Sequence, residues 1–443
     1  MAAPVLGVRE AAEAVLRSND RGGFTRSASV LYPHQWSWDS AIVAVGWAHL
    51  DLGRAITEFE GVLDAQWANG KLPHIIFRPG TEEYRPGPEL WDSAAAPEAP
   101  TGIATSGLAA PPVHATAALA IWQIGTGRGS RSRAGADAFA ARIFPALLAW
   151  HRYLARERDP DGSGLLSIHH PWESFDNAPE WDGPLRSVAI EDVRRVARHD
   201  IEHVPSAERP SEAEYARFLG LVASLREANY DERLIRRNHP FLCKDPAMTS
   251  LFVASSDALL ELATVVGAPR RELSEINAWG DLGRAGLERV WDEADRLCHG
   301  VDERRGTALR ARSIGGLLPL LAVLGPHHRA ELLAELDSGR FAGNSSLRWA
   351  LPPTVSPVDP AFASRNYWRG PSWPVINWLL WIGLHRSGFG GRATRLRSEA
   401  LSQLEAGGLA EYFEPFTGAP LGARSQSWTA AVAIDWLERA TPG

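Results

Sequence analysis

The apolar residues of this chain recur mostly with the spacing of α-helices. In residues 141–157 they form one stripe from Ile143 to Leu154 at positions i, i+4, i+7 and i+11, with arginine and glutamate opposite. Strand-like alternation is confined to two short segments, LPHIIFRP (72–79) and GLLSIHH (164–170). The pattern therefore predicts an all-α protein.

Several predicted helices carry end signals. Ser211 and Glu214 have the spacing of a capping box. Asp245 and Pro246 form an N-cap and first-turn pair, and Gly267 marks the end of the same helix. Further helices are predicted at 39–51, 53–69, 111–126, 271–293, 313–324, 327–338, 371–387, 391–407 and 426–439. In total the chain has about a dozen helices.

The connections between these helices indicate the architecture. Short turns alternate with long loops rich in proline and tryptophan, which is typical of a closed double ring of helices, an (α/α)6 barrel; a two-domain helical bundle is the alternative. No linker separates domains, so residues 1–443 are predicted to form a single domain. The excursions 74–110 and 178–210 are predicted pocket walls or lids, because long loops in compact domains are usually functional.

Composition narrows the class of protein and its location. The net charge of −7 is spread without long runs of one sign, so neither nucleic acid nor an anionic membrane is expected as a partner. No apolar run approaches the roughly 18–20 residues that a membrane span requires. Two cysteines, Cys243 and Cys298, cannot form a disulfide framework, and the N-terminus lacks a signal-peptide pattern. A cytoplasmic location is expected; the oligomeric state stays open, a homo-oligomer included.

Eighteen tryptophans are an unusual number for a chain of this length. They fill a core well, but flat aromatic rings also stack on the C–H faces of sugars. Loop contexts beside acids favour sugar contact for Trp36, Trp38, Trp172, Trp181, Trp368 and Trp373. Helical contexts favour a core position for Trp150, Trp291, Trp378 and Trp381.

Three loops combine acids with aromatic residues. They are YPHQWSWDS (32–40), HHPWESFDNAPEWD (169–182) and EYFEPFTGAPLGARSQSWTAA (411–431). Hydrolysis of a glycosidic bond needs two carboxyl groups, one protonated to assist the leaving group and one ionised to activate water or attack. A single acid is usually a surface carboxylate, but three such loops on one tryptophan-rich helical chain favour a glycosidase.

Other motifs are weaker. DPDGSGLL (159–166) begins like a calcium loop, but its twelfth position is His170 rather than glutamate, so a tight turn is expected. No metal-ligand spacing relates His34, His74, His114, His169 and His170. The chain has no phosphate-binding loop, dinucleotide fingerprint or nucleophile elbow. No metal site and no cofactor are predicted.

Six ordered motifs resemble glycoside hydrolase family 63, most closely its short bacterial branch of glucosylglycerate and mannosylglycerate hydrolases. They are YPHQWSWDS, TSGLAAPPVHA, HPWESFDNAPEWD, PTVSPVDPAF, NYWRGPSWPVINWLL and EYFEPFTG…RSQSWTAA, and they run from about residue 30 to the C-terminus. The resemblance implies a single (α/α)6 barrel with the pocket at one end. It also implies an inverting α-glycoside hydrolase that releases glucose or mannose from a small acidic aglycone such as glycerate.

Catalytic roles follow from the same resemblance. Asp176 in the W-E-S…D-N motif matches the family's general acid, and Glu411 matches its general base. Inversion requires the two carboxyl groups to lie roughly 6.5–9.5 Å apart, with water between the base and the sugar. Trp172 and Phe175 are expected to desolvate Asp176 and raise its pKa.

The resemblance also implies the binding residues. Those expected around the sugar are Tyr32, Trp36, Trp38, Asp39, Trp172, Tyr367, Trp368, Trp373 and Gln426. For the aglycone, Arg209 is expected to bind the carboxylate, with Tyr215 and Tyr84 beside it. Arg209 discriminates between aglycones, because its presence in the pocket would favour an acidic one.

Two departures from the family pattern leave the substrate open. Ala110 stands where the branch usually has glutamine before Pro-Pro, and the loop of the acid is one residue shorter. The alternatives are a neutral α-glucosidase acting on a trehalose- or kojibiose-like disaccharide and a non-catalytic sugar-binding protein. Glu411 argues against a phosphorylase, which needs no base, and the histidine pairs of helical-barrel epimerases are missing. The choice between glucose and mannose stays open.

Overall fold

The computed structural model describes residues 3–81, 84–190 and 198–439. Within them the α-helices are α1 (Ala3–Asn19), α2 (Ser37–Leu50), α3 (Leu52–Leu63), α4 (Pro88–Trp91), α5 (His114–Thr126), α6 (Ser130–Tyr153), α7 (Asp182–Leu185), α8 (Asp200–His203), α9 (Glu212–Glu227), α10 (Glu232–Asn238), α11 (Pro246–Val265), α12 (Arg270–Arg289), α13 (Pro326–Leu336), α14 (Pro374–Arg386), α15 (Gly390–Gly407) and α16 (Ser427–Glu438). The strands are β1 (Gln35–Trp36), β2 (Ile75–Phe77), β3 (Ala104–Thr105), β4 (Ser167–Ile168), β5 (Cys243–Lys244), β6 (Trp291–Asp292), β7 (Leu297–Cys298), β8 (Gly300–Asp302), β9 (Thr307–Leu309), β10 (Tyr412–Phe413) and β11 (Pro420–Leu421).

The helices close into two concentric rings. The inner ring consists of α2, α5, α11, the 3-10 segment Leu318–Ala322, α14 and α16, each in contact with the next, and α16 returns to α2. Each inner segment carries one outer helix, and these are α3, α6, α12, α13, α15 and α1 in the same order. The predicted all-α fold and (α/α)6 barrel are confirmed.

Sequence pattern explains which helices lie inside. In α2 every residue from Ser37 to Ala48 is buried, because apolar and small residues occupy all of its faces. The outer α12 is amphipathic and buries only a stripe that includes Ile276, Gly283 and Leu287. The expectation that no apolar segment reaches the length of a membrane span was wrong for α11, the one helix among the described residues with that length and composition. In the structure α11 is an inner-ring helix with most of its residues buried, which explains its apolar composition.

The predicted helix ends are confirmed where capping residues marked them. Ser211 and Glu214 form both halves of the capping box at the start of α9. The Asp245 carboxylate accepts hydrogen bonds from the first-turn amides of α11, at 2.9 Å from Ala247 N. Gly267 lies just after that helix with a φ of +70°, which glycine adopts without strain.

Several boundaries differ from the predictions. The predicted helix 313–324 is two short 3-10 segments, because Gly315, Gly316 and Pro319 weaken a continuous α-helix. The predicted helix 53–69 ends at Leu63. Helix α1 and strands β6 to β9 were not predicted at all; these strands are two or three residues long, too short to show a period.

Small sheets shape the loops at one end of the barrel. In one, β1 pairs with β2 so that Trp36 lies opposite Ile75, and β2 also pairs with β3. In another, β10 pairs with β11 so that Tyr412 lies opposite Leu421. Strands β2 and β4 lie in the two segments where alternation predicted them.

The predicted turn in DPDGSGLL is also confirmed. The amide of Gly162 donates to the carbonyl of Asp159 at 3.1 Å. The Lys244 ammonium donates to carboxylate oxygens of Asp159 and Asp161 at 3.1 and 2.8 Å. A lysine therefore supplies the positive charge at this acidic turn.

Candidate active site

A cavity opens at the N-terminal ends of the inner helices. Trp38 and Asp39 line it from the first turn of α2, Pro111 from just before α5, and Gln426 from the N-cap of α16. Its empty space, including the open mouth, is about 950 Å³. Of the predicted site residues, those that line it are Tyr32, Trp36, Trp38, Asp39, Tyr84, Trp172, Asp176, Arg209, Tyr215, Tyr367, Trp368, Glu411 and Gln426. Barrel closure thus brings together residues from both ends of the sequence.

Glu411 is fixed at the inner wall by three hydrogen-bond donors. Its Oε1 accepts from the Tyr32 hydroxyl at 2.8 Å. Its Oε2 accepts from Arg209 Nη2 and from the amide of Ala423, each at 2.9 Å. A carboxylate has about four acceptor positions, so one remains for a water molecule.

The turn after β11 approaches this carboxylate closely. Gly422 has a φ of +65°, and a Cβ there would lie 2.3 Å from Glu411 Oε2. The Gly422 amide donates to Glu208 Oε2 at 3.1 Å, and the Tyr412 hydroxyl donates to the Glu208 carbonyl at 2.7 Å. The position after Leu421 therefore requires glycine for conformation and for space.

Asp176 faces the same cavity in a different environment. Burial in the aromatic wall raises its pKa to about 8, although the nearby Arg209 charge opposes the shift. Phe175 stacks on Trp368 with ring centroids 4.7 Å apart, which closes one side of the acid loop. Asp176 is thus protonated at neutral pH, as a general acid must be.

Asn177 ties the acid loop to the loop before α14. Its side chain accepts from the Trp368 amide at 3.0 Å and donates to Asn366 Oδ1 at 2.6 Å. Arg369 Nη1 donates to the Asn177 carbonyl at 3.1 Å. These bonds hold Asp176 and Trp368 in a fixed relation.

Glu173 anchors the other end of the acid loop. It is fully buried, and its carboxylate oxygens accept from Arg158 Nη1 and Nη2 at 2.7 and 2.8 Å. They also accept from the backbone amides of His169 and Ala109, at 2.6 and 2.7 Å. Burial alone would raise the pKa of Glu173, but Arg158 and these amides lower it below its usual value. Glu173 thereby connects the acid loop to the wall segment before Pro111.

Aromatic rings form most of the remaining wall. Trp36 makes edge contacts with Tyr32 and Tyr84, with centroids 5.2 and 5.0 Å apart. Trp38 makes an edge contact with Trp428 at 5.2 Å. Such rings offer apolar faces to a sugar.

Asp39 is the third carboxyl group of the cavity. It is buried at the start of α2, and burial raises its pKa to about 7, against a hydrogen bond from Ser27 that lowers it. It has the oxygens to bind sugar hydroxyls, which is the role predicted for it.

Two of the tryptophans expected at the sugar lie elsewhere. Trp373 lies outside the cavity lining: its ring stacks on Trp368 at 3.7 Å and 5°, and it is only 1% exposed. Trp181 is also buried outside this lining and donates to the Phe175 carbonyl at 2.8 Å. Trp373 thus packs behind Trp368, which lines the cavity, and Trp181 packs against the loop that carries Phe175.

Positions predicted as core tryptophans mostly agree with the structure. Trp150, Trp378 and Trp381 are buried, whereas Trp291 is partly exposed in β6. Ala110 is fully buried and donates to the Leu72 carbonyl at 3.0 Å, so the neighbouring Pro111 faces the cavity in its place.

On the aglycone side, Arg209 lies in the wall but is already engaged. Its Nη1 donates to the Tyr32 hydroxyl at 2.6 Å, its Nη2 to Glu411, and the guanidinium lies 4.6 Å from the Tyr367 ring centroid. Tyr215 and Tyr84 also line the cavity. Arg209, predicted to bind the aglycone carboxylate, is therefore bonded directly to Glu411, the predicted base.

Some lining residues were missed by the sequence interpretation. They are Leu31, His74, Ile75, Arg85, Pro86, Pro111, Ser174, Asp200, Pro210 and Trp428. Trp428 lies in a motif that pointed to the pocket and could have been included. Asp200 carries no sequence signal, since it lies in a polar excursion without an apolar pattern.

Two groups of side chains in the described part of the chain have ligand atoms close enough for a metal ion. Asp292, Asp295 and His299 form one group, but Arg310 and Arg312 pair with its carboxylates. His199, Glu202 and His203 form the other, at α8. None of these six residues lines the cavity.

Comparison with known proteins identifies the family. Residues 32–429 match the model of the mannosylglycerate hydrolase MGH1-like glycoside hydrolase domain. The chain belongs to this branch of glycoside hydrolase family 63. It is therefore a glycoside hydrolase, as the paired acids in one cavity indicate.

Members of this family resemble the chain over nearly its whole length. The glucosylglycerate hydrolase of Mycolicibacterium hassiacum is 39% identical over 96% of both chains. The mannosylglycerate hydrolase of Thermus thermophilus is 38% identical over 95% of this chain and 98% of its own. The crystal structure of a family 63 mannosylglycerate hydrolase from a strain of the same species, in complex with Tris and D-glycerate, has a TM-score of 0.89 at 38% identity and covers 97% of this chain and 99% of its own.

Proposed function

We propose that this family 63 member is an inverting hydrolase of small acidic α-glycosides, releasing glucose or mannose from glycerate. The observation that carries the proposal is that two carboxyl groups share one cavity but have different environments. Asp176 is protonated at neutral pH because burial raises its pKa to about 8. Glu411 is bound by three donors and retains one free acceptor position.

In the proposed mechanism each acid moves one proton. Glu411 removes a proton from a water molecule, which attacks the anomeric carbon on one face of the sugar. Asp176 gives its proton to the glycosidic oxygen on the other face as the bond to the aglycone breaks. Arg209 and the Ala423 amide fix the orientation of Glu411 towards the water.

An acidic aglycone is supported by Arg209 and by the named relatives. Arg209 is a positively charged donor of the wall and contacts both Tyr32 and Tyr367. The relatives are named for glucosylglycerate and mannosylglycerate, and one solved structure holds D-glycerate. We also propose a cytoplasmic location, supported by two cysteines that are free and buried.

A neutral α-glucosidase is the competing function. Both Nη atoms of Arg209 are already bonded to Tyr32 and Glu411, and burial lowers the pKa of His74 to about 4, so that it carries no charge at neutral pH. Under this alternative Arg209 orients Glu411 and does not bind the aglycone. Rates on glucosylglycerate, mannosylglycerate, trehalose and kojibiose separate the two, because an acidic-aglycone enzyme hydrolyses the first pair faster.

The catalytic assignment is tested by Asp176→Asn and Glu411→Gln. Each is expected to lower kcat by about 10²–10⁴-fold, the usual contribution of one acid or base. In the parent protein kcat/KM should fall as the pH rises through about 8, because Asp176 then loses its proton. The first sugar released from an α-glycoside should be the β-anomer, read by NMR.

Glu180→Gln is the matched control. Burial raises the pKa of Glu180 to about 7, but this acid lies outside the cavity lining. It should retain the parental kcat. Parental activity in Asp176→Asn or Glu411→Gln, or an α-anomer as first product, would contradict the proposed mechanism.

A further inference from the structure

We propose that His199, Glu202 and His203 form a binding site for a divalent transition metal such as Zn²⁺ at the rim of the cavity. The three residues have i, i+3, i+4 spacing on α8 and its N-cap, which places them on one face of a helix. Their ligand atoms all lie within 4.8 Å of one another. Two imidazoles and one carboxylate are a donor set that zinc accepts, with a fourth position left for water.

Hydrogen bonding prepares His199 for this role. Its Nε2 lies 3.0 Å from the carbonyl oxygen of Val30, which can only accept, so the ring proton is on Nε2. The lone pair is therefore on Nδ1, the atom that lies 3.9 Å from Glu202 Oε2. A metal-bound histidine commonly donates its other N–H to a backbone carbonyl in this way.

The geometry needs only a small adjustment. Two ligands of tetrahedral zinc at bond lengths of about 2.0–2.1 Å lie about 3.3 Å apart. His203 is exposed, and its ring centroid is 4.8 Å from that of His199. The Glu202 side chain is 58% exposed, so both side chains are free to turn towards Nδ1.

Neighbouring charges leave the position open to a cation. The adjacent positive charge is Arg198, whose Nη2 pairs with Asp200 Oδ2 at 2.7 Å and whose Nη1 pairs with Glu212 Oε1 at 3.0 Å. Tyr84 approaches from the remaining side and presents its ring to His199, with centroids 5.8 Å apart. The charge of Arg198 is therefore compensated by carboxylates other than that of Glu202.

The position of the site gives the metal a structural role. Asp200, within α8, and Leu31, next to Val30, both line the cavity. An ion on Nδ1 of His199 would favour the tautomer that binds Val30 and would thus hold α8 against the 30–31 segment. The metal would stabilise this part of the rim without touching substrate, since its three ligands lie outside the lining.

Equilibrium dialysis and calorimetric titration of Zn²⁺ into the untagged, chelator-treated full chain test the site. One zinc per chain is expected, with affinity reduced at least about tenfold in His203→Ala, whose side chain is exposed and whose loss should not affect folding. His199→Ala should lower the zinc affinity by a similar factor. The double variant His327→Ala/His328→Ala is the matched control, because it removes the neighbouring histidines of α13 and should keep full binding.

A second experiment measures hydrogen exchange of the backbone amides at the rim. Zinc should slow hydrogen exchange of the amides near Val30 and of α8 in the parent protein but not in His203→Ala. The proposal is overturned if the parent binds no stoichiometric zinc, if His203→Ala binds it equally well, or if exchange at the rim is unchanged when zinc is bound. Since none of these readouts involves sugar, they are independent of the proposed hydrolase function.

Discussion

Glu411 shows how one side chain depends on distant parts of the sequence. Its partners Tyr32, Arg209 and Ala423 come from an N-terminal loop, a central excursion and the turn after β11. The motif around residue 411 predicted a candidate base, but nothing local in it predicted these partners. Contacts over such separations follow from barrel closure, which the local pattern does not encode.

Gly422→Ala tests the close approach of the turn to the base. The added Cβ would meet Glu411 Oε2 at 2.3 Å and force the carboxylate to move. A displacement of about 1 Å in a catalytic group lowers kcat on the order of 100-fold. Initial-rate kinetics should show that loss with little change in the far-UV circular dichroism.

Gly306→Ala is the control for backbone strain. Gly306 has the same φ of +65°, but a Cβ there meets nothing within 4 Å. Both variants should lose about 1–2 kcal/mol of unfolding free energy from the left-handed conformation. Only Gly422→Ala should lose activity; equal activity in the two variants would show that the turn does not position the base.

At the scale of elements, capped helices were predicted best. The starts of α9 and α11 agree with their capping residues, because N-caps are local hydrogen-bonding devices. The segment 313–324 was predicted wrongly as one helix, since its apolar residues fit a buried inner position while Gly315 and Pro319 oppose a regular α-helix. An apolar pattern predicts that a segment is buried. It does not predict whether the backbone of that segment forms a regular α-helix.

Glu173→Gln tests the anchor of the acid loop. The change removes the two-point carboxylate partner of the buried Arg158 and leaves only Glu232, at 3.9 Å, as a counter-charge. Breaking a buried pair typically costs about 3–5 kcal/mol of unfolding free energy. We also expect kcat to fall about 10–100-fold as Asp176 shifts. The pH at which kcat/KM declines should move away from about 8, because the burial that raises the pKa of Asp176 changes.

Glu335→Gln separates this positioning effect from general stability. Glu335 is also fully buried and pairs with Arg340, but it lies on the outer helix α13. Its loss should lower the unfolding free energy, and less so than Glu173→Gln because Arg340 is 35% exposed. The pH profile of kcat/KM should stay unchanged; an unchanged profile in folded Glu173→Gln as well would contradict the positioning role.

At the scale of the whole molecule, three features predicted the closed barrel: the number of helices, the alternation of short turns with long loops, and the resemblance of the motifs to a known family. What the sequence could not provide was the order of contacts around the ring. The tryptophans illustrate this: Trp368 and Trp373 share one motif, yet one faces the cavity and the other lies behind it. Which ring faces the sugar depends on the path of the loop, and periodicity does not describe loops.

Gly46→Ala tests ring closure between α2 and α16. A Cβ on Gly46 would lie 2.6 Å from the backbone of Ala431, so the two inner helices would have to separate. Overpacking of this kind costs about 1–3 kcal/mol of unfolding free energy. That loss should exceed the gain of about 1 kcal/mol in helix propensity from glycine to alanine.

Gly135→Ala provides the reference for helix propensity. Gly135 lies within α6, and a Cβ there meets nothing within 4 Å. Denaturant unfolding should show a gain of about 0.5–1 kcal/mol for this variant and a loss for Gly46→Ala. A gain in both would show that the approach of α2 and α16 is not tight.

The closure of α16 onto α2 has a consequence for biosynthesis. The last helix of the described chain fills the inner-ring position beside the first, and α1 packs on it through an ion pair of Arg9 and Glu438 at 2.8 Å. During translation the inner face of α2 therefore has no partner on this side until residues 427–438 have left the ribosome. Glu411, the proposed base, emerges only shortly before them, so we expect a nascent chain to remain inactive until residues 427–438 have been added and have left the ribosome.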